Sequence, residues 1–140
     1  MAKRILAVDD NSVILEVYIQ LLSAEGYEVS VAKDGSEALK VLETWQPDLV
    51  VLDIGMPNLS GWQLLEIMRS RVEWHDIPVI MVTALLEPPP VEKESYPEYN
   101  CYVTKKVTGN ELLALVAQNL EDTVAAPVES PPDTGQRACP

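Results

Sequence analysis

The stretch Leu49-Val50-Val51-Leu52-Asp53-Ile54-Gly55-Met56-Pro57 holds the pattern on which the reading of the chain turns. Four consecutive apolar residues, two of them β-branched, have the length of a buried strand, and a carboxylate follows at once. An unbroken apolar run suits a strand covered on both faces, as in a parallel sheet. Comparable runs occupy residues 5–8 (Ile-Leu-Ala-Val), 79–82 (Val-Ile-Met-Val) and 102–103 (Tyr-Val). Residues 27–31 (Tyr-Glu-Val-Ser-Val) alternate instead, as a strand with one wetter face should.

Helical patterns lie between these runs. Val13, Ile14, Val17, Tyr18, Leu21 and Leu22 predict one apolar stripe, closed by Gly26. Asp34 or Ser36 can cap a second helix that turns Ala38, Leu39, Leu42 and Trp45 inward and stops before Pro47. Ser60 can cap a third, with Leu64, Leu65 and Met68 buried. Thr108 and Glu111 form a capping box for a last helix, whose inner face is read as Leu112, Leu113, Val116 and Leu120.

Strict alternation of strand and helix predicts an α/β domain, a flavodoxin-like doubly wound five-stranded parallel sheet of order 2-1-3-4-5. Residues 85–100 contain Pro88, Pro89, Pro90 and Pro97, so the fourth helix region is expected to be proline-rich and irregular, with at most a short helix over 91–96. Beyond Glu121 the composition turns to Ala, Pro, Ser and Asp. One domain over residues 1–122 and a disordered Pro-rich tail over 123–140 are therefore expected, with no repeat and no second domain.

Composition narrows the function. The formal net charge of −12 argues against direct binding of nucleic acid or of an anionic membrane surface, both of which need a basic patch. No apolar run reaches the roughly 18–20 residues of a membrane span, and Met1 is not followed by a signal-peptide core, so the expected location is the cytoplasm. Two cysteines, Cys101 and Cys139, with a single histidine suggest neither a zinc site nor a disulfide framework; Cys101 reads as a small buried hydrophobe.

Open parallel sheets bind ligands beyond the carboxyl ends of their strands. The first strand runs into Asp9 and Asp10, the third ends at Asp53, the fourth at Thr83, and the fifth runs into Lys105. Each alone is unremarkable, since an acid after a strand is most often a helix cap. Their coincidence on one rim points to chemistry. Three carboxylates so placed repel one another, and a hard divalent cation such as Mg²⁺ relieves that repulsion. Lys105 then supplies a positive charge and Thr83 a hydroxyl donor for a phosphoryl group, with Asp53 as the nucleophile that forms an aspartyl phosphate.

The segments Leu6-Ala7-Val8-Asp9-Asp10-Asn11, Asp48 to Gly61, Pro78 to Ala84 and Tyr102-Val103-Thr104-Lys105 resemble the receiver domain of two-component response regulators. The resemblance covers residues 3–122 or so, with its motifs in order. It implies that Asp53 accepts a phosphoryl group from the phosphohistidine of a sensor histidine kinase or phosphotransfer protein, and that the domain then switches the binding of a downstream protein. It implies Asp10, Asp53 and the Gly55 carbonyl as Mg²⁺ ligands, with Asp9 acting through water. Thr83, the Ala84 amide and Lys105 would hold the phosphoryl group, and Tyr102 would move with Thr83 as a switch. Where the family usually carries proline after the lysine, Lys106 stands here.

Two other classes compete. A phosphatase of the haloacid-dehalogenase type also phosphorylates a strand-end Asp, but it uses a second Asp two residues on as general acid, and Gly55 occupies that position. The expectation is therefore a protein that catalyses only its own phosphorylation and dephosphorylation, not an enzyme acting on other substrates. A phosphate-independent receiver-like interaction module is the remaining alternative; it would be expected to lack one of the acids or the lysine.

Overall fold

The computed structural model describes residues 2–56, 59–83, 101–104 and 108–122, and of Thr83, Cys101–Thr104, Glu121 and Asp122 it describes the backbone. The elements are β1 (Arg4–Val8), α1 (Ser12–Ala24), β2 (Glu28–Ala32), α2 (Gly35–Thr44), β3 (Leu49–Asp53), α3 (Gly61–Ser70), β4 (Val79–Thr83), β5 (Cys101–Thr104) and α4 (Gly109–Asp122). The expected irregular region 85–100, the Lys105–Lys106 peptide and the tail 123–140 lie outside the described residues.

Local chemistry sets where the helices begin. Asn11 caps α1 by accepting from the amides of Val13 (2.9 Å) and Ile14 (3.3 Å). Asp34 caps α2 by accepting from Glu37 N–H at 2.8 Å. Ser60 and Gln63 form a reciprocal capping box at α3, and Thr108 and Glu111 form another at α4, at 3.0 and 3.1 Å. Each such cap satisfies amides that have no partner within the helix.

The end of α1 is equally explicit. Gly26 has φ +92°, the left-handed conformation that L side chains avoid. Its N–H donates to Ser23 O (2.9 Å) and the next amide, Tyr27 N–H, donates to Leu22 O (3.2 Å). That pair of bonds is a Schellman closure. It uses the Tyr27 amide, so β2 starts at Glu28 rather than at residue 27 as the alternation predicts.

The strands form one parallel sheet of order β2-β1-β3-β4-β5. Side chains alternate across it with period two. Leu6, Val8, Val50, Leu52, Val79 and Met81 pack with α2 and α3. Ile5, Ala7, Leu49, Val51, Ile80 and Val82 pack with α1 and α4 on the other side. Every residue of β3 is buried, which is why its sequence reads as unbroken apolar.

Two helix faces depart from the expected stripes. In α1, Val13 and Val17 are 70% and 54% exposed, and Leu15, Tyr18 and Leu22 form the buried row. Residues 15, 18 and 22 follow the i, i+3, i+7 spacing of one helical face; 13 and 17 lie on its flank. α1 is apolar around much of its circumference, so spacing alone does not say which arc meets the sheet. In α4, Leu115 is buried with Leu112, Val116 and Leu120, while Leu113 is only partly covered.

Leu15→Ala is therefore expected to lower unfolding free energy by about 2–5 kcal/mol, while Val13→Ala should stay within about 0.5 kcal/mol of the parent. Urea unfolding of the two variants checks the assignment; equal losses would contradict it.

Candidate functional site

Parallel pairing brings the carboxyl ends of β1, β3 and β4 side by side. Val8 pairs with Leu52, and Asp53 with Val82. Beyond β1, Asp9 N–H donates to Ala32 O at 3.1 Å, continuing the ladder by one residue. The chain then turns on the Asp9 carboxylate itself, whose Oδ1 accepts from Asn11 N–H at 2.9 Å. Asn11 goes on to cap α1, so one short turn both ends the strand and starts the helix.

At β3 the chain leaves through a similar device. Gly55 N–H reaches back to Asp53 Oδ1 at 3.3 Å. Ile54 N–H donates to Val82 O (3.0 Å), and the Ile54 carbonyl accepts from Met56 N–H (3.1 Å) and Gly61 N–H (3.0 Å). The Asp53 side chain continues the row of Leu49 and Val51 on the α1/α4 side of the sheet.

The result is a compact acidic pocket. Asp9 and Asp53 are 1% and 4% exposed, Asp10 is open to solvent, and one carboxylate oxygen from each lies within 4.8 Å of the others. Hard oxygen donors, two walled in and one at the surface, match a small divalent cation that keeps several waters. The donor set fits Mg²⁺.

Tyr18 joins this cluster, although its helical spacing marks it only as a core residue. Its ring lies in the α1/α4 core. Burial first, and then the negative charges of Asp9 and of Asp53, hold its phenol well above the usual tyrosine range. The signal that would have found it is a combination: residue 18 on the inner face of α1, and 9 and 53 in strand rows that point to the same helix layer.

Of the remaining residues singled out from the sequence, Thr83 is the last residue of β4, and its backbone pairs with Thr104. Tyr102 lies in β5 opposite Met81. Their side chains, and Ala84 and Lys105 entirely, lie outside the described residues. Gly55 lies in the loop beside Asp53; among the described residues a Cβ built there meets nothing within 4 Å, and its φ is not left-handed.

The sequence profile of the response regulator receiver domain matches residues 5–117. The chain belongs to the response regulator receiver domain family. It is 39% identical over 116 residues to the CAI-1 autoinducer sensor kinase/phosphatase CqsS of Vibrio cholerae, a match that spans 82% of this chain but 17% of that kinase. Among solved structures it is similar to a response regulator receiver domain (CheY-like) from Methanospirillum hungatei, with 30% identity, TM-score 0.76, and 88% of this chain and 97% of that one covered. It is also similar to the receiver domain of a signal transduction histidine kinase from Syntrophus aciditrophicus, with 28% identity, TM-score 0.77, and coverage of 95% and 99%. The family belongs to two-component signalling, and its members generally bind Mg²⁺ at an acidic pocket of this kind. Among the described residues no helix is long and apolar enough to cross a membrane.

Tyr18 supplies a pH test of this electrostatic arrangement. Its proton is held more tightly in the folded state than in the unfolded chain, where tyrosine titrates near about 10. The corresponding stability is fully present below that pH and is lost as pH rises toward the higher folded value. Tyr18→Phe should flatten the alkaline fall of the unfolding midpoint, and Asp53→Asn should let the Tyr18 phenol ionise at lower pH, as read by ultraviolet absorbance. An alkaline titration of Tyr18 indifferent to Asp53 would contradict the coupling.

Proposed function

We propose that this chain is a phospho-accepting receiver in which Asp53 takes a phosphoryl group from the phosphohistidine of a sensor histidine kinase or a phosphotransfer protein. The observation that carries this reading is the convergence of Asp9, Asp10 and Asp53, from two separate strand ends, within 4.8 Å. An Asp53 carboxylate oxygen forms a bond to phosphorus while the phosphorus–nitrogen bond of phosphohistidine breaks. The electron pair of that bond returns to the imidazole, which takes up a proton.

Asp10, Asp53 and the Gly55 carbonyl would hold Mg²⁺, with Asp9 acting through water. The bound cation supplies positive charge next to the oxygens on which negative charge builds. Asp53 is kept in place by the Gly55 amide and is shut away from bulk water by its burial. Thr83, the Ala84 amide and Lys105 are proposed to hold the transferred group, and Thr83 with Tyr102 to carry the change outward to a downstream protein. The receiver domain is taken as residues 1–122. A cytoplasmic location and partners that are proteins rather than nucleic acid or membrane complete the reading, in keeping with the net charge of −12. The same conformational output without phosphate, a receiver-like interaction module, is the alternative that the acid cluster disfavours.

Incubated with Mg²⁺ and acetyl phosphate, the protein is expected to gain one phosphoryl group by intact mass, and Asp53→Asn to gain none. Labelling of the variant at the parent's rate would remove Asp53 from the reaction.

Gly55 bears on the lifetime of the product. Neither its backbone nor its neighbours among the described residues require glycine, which leaves room there for a side chain beside the acceptor. Gly55→Met is expected to leave the melting temperature near the parent value and to lengthen the phosphoryl half-life severalfold, about 1 kcal/mol in the barrier, by screening the attacking water. An unchanged half-life would show that bulk at this position does not govern hydrolysis.

A further inference from the structure

The glycines of this chain answer to different causes. Gly26 is dictated by its backbone, with φ +92° and open space where a Cβ would stand. Gly61, the first residue of α3, is the reverse: its φ is ordinary and its surroundings are full. A Cβ at 61 would run into the Asp53 carbonyl oxygen, and would lie 2.8 Å from Ile54 Cα and 3.0 Å from the Asp53 carbonyl carbon. These are backbone atoms and cannot swing aside as a side chain can.

We propose that Gly61 is a positioning residue for the Asp53 acceptor: its bare Cα lets the N-terminus of α3 sit flush against the Asp53–Ile54 main chain and so sets the direction of the carboxylate. The inference rests on the reading of Asp53 as phosphoryl acceptor. Three further observations carry it. Gly61 N–H donates to Ile54 O at 3.0 Å, so the same residue that needs the space also closes the loop. The Ser60–Gln63 capping box holds the first turn of α3 in that seat. Leu59, two residues before Gly61, is seated against a second glycine, because a Cβ at Gly35, the first residue of α2, would lie 2.7 and 2.8 Å from Leu59 Cβ and Cγ.

Leu59 and Gly61 thus seat closely on α2 and on the Asp53–Ile54 main chain, and the Gly55 amide contacts Asp53 Oδ1 just after that main chain. A methyl group at 61 has two escapes, to push α3 away from β3 or to rotate the Asp53–Ile54 peptide. Either movement turns the carboxylate relative to Asp9 and Asp10. Misplacement of a reacting group by about 1 Å can cost a hundredfold in rate.

The test compares the full-length parent, Gly61→Ala, and Gly26→Ala as a control destabilised by backbone strain away from the site. Phosphorylation by acetyl phosphate is measured per folded molecule, well below each melting temperature, and Mg²⁺ affinity is measured by calorimetry. Gly61→Ala is expected to slow phosphorylation at least about tenfold and to weaken Mg²⁺ binding, while Gly26→Ala lowers the melting temperature and leaves both values near the parent's. If Gly61→Ala is phosphorylated at the parent's rate, or if Gly26→Ala loses as much, the positioning role is wrong. Should Gly61→Ala not fold, Ser60→Ala, which loosens the same helix start without a clash, decides: a slower rate per folded molecule supports the role, and the parent's rate overturns it. Failure of the parent itself to become phosphorylated would instead sink the reading of Asp53 as acceptor.

Discussion

The dryness of β1, β3 and β4 on both faces of a parallel sheet is the constraint from which the rest of this structure follows. The strand residues of β1, β3 and β4 are covered by helices on both sides, and parallel pairing starts every strand from the same edge. All strands then end at one edge. Polar groups cannot enter the strands without losing their water, and they gather where the strands stop: Val8 gives way to Asp9, and Leu52 to Asp53. The acidic pocket is the polar remainder of an otherwise apolar layer.

Crowding carboxylates at that edge is costly, and the local backbone answers it in part. Asp9 and Asp53 each accept from an amide two residues on, which turns a repulsive group into the pivot of its own loop. A cation supplies what amides cannot, full positive charge between three acids. α1 ties this edge to the interior. Its first turn is capped by Asn11 beside Asp9, and Tyr18 lies below in reach of the fields of Asp9 and Asp53. The missing side chain of Gly61 lets α3 seat on the Asp53–Ile54 main chain, so the direction of one carboxylate depends on how closely α3 can approach.

Much of this was legible in the chain because the signals are local. The β3 run, the caps at Asp34, Ser60 and Thr108, and the stop at Gly26 all act within a few residues, and each works as its chemistry predicts. The two helix faces that differ from the expected stripes share one cause. Spacing points to Val13, Val17 and Leu113 as core where the structure buries Leu15 and Leu115, because both helices are apolar enough to offer more than one inward face. Alternation starts the second strand at Tyr27, but the Tyr27 amide closes α1 and the strand begins at Glu28.

By itself, the sequence determined the kinds of elements, their order, the parallel arrangement that the order requires, and the acids at the strand ends. Those follow from periodicity, capping and chain connectivity, which are written along the backbone. Only the tertiary structure decided that oxygens of Asp9, Asp10 and Asp53 come within 4.8 Å, that Leu15 rather than Val13 faces the sheet, that Tyr18 lies in the field of the acids, and that position 61 has no room for a methyl group. Each of these depends on the separation between segments remote in the chain, which is set by how side chains fill the space between layers and has no counterpart in local spacing.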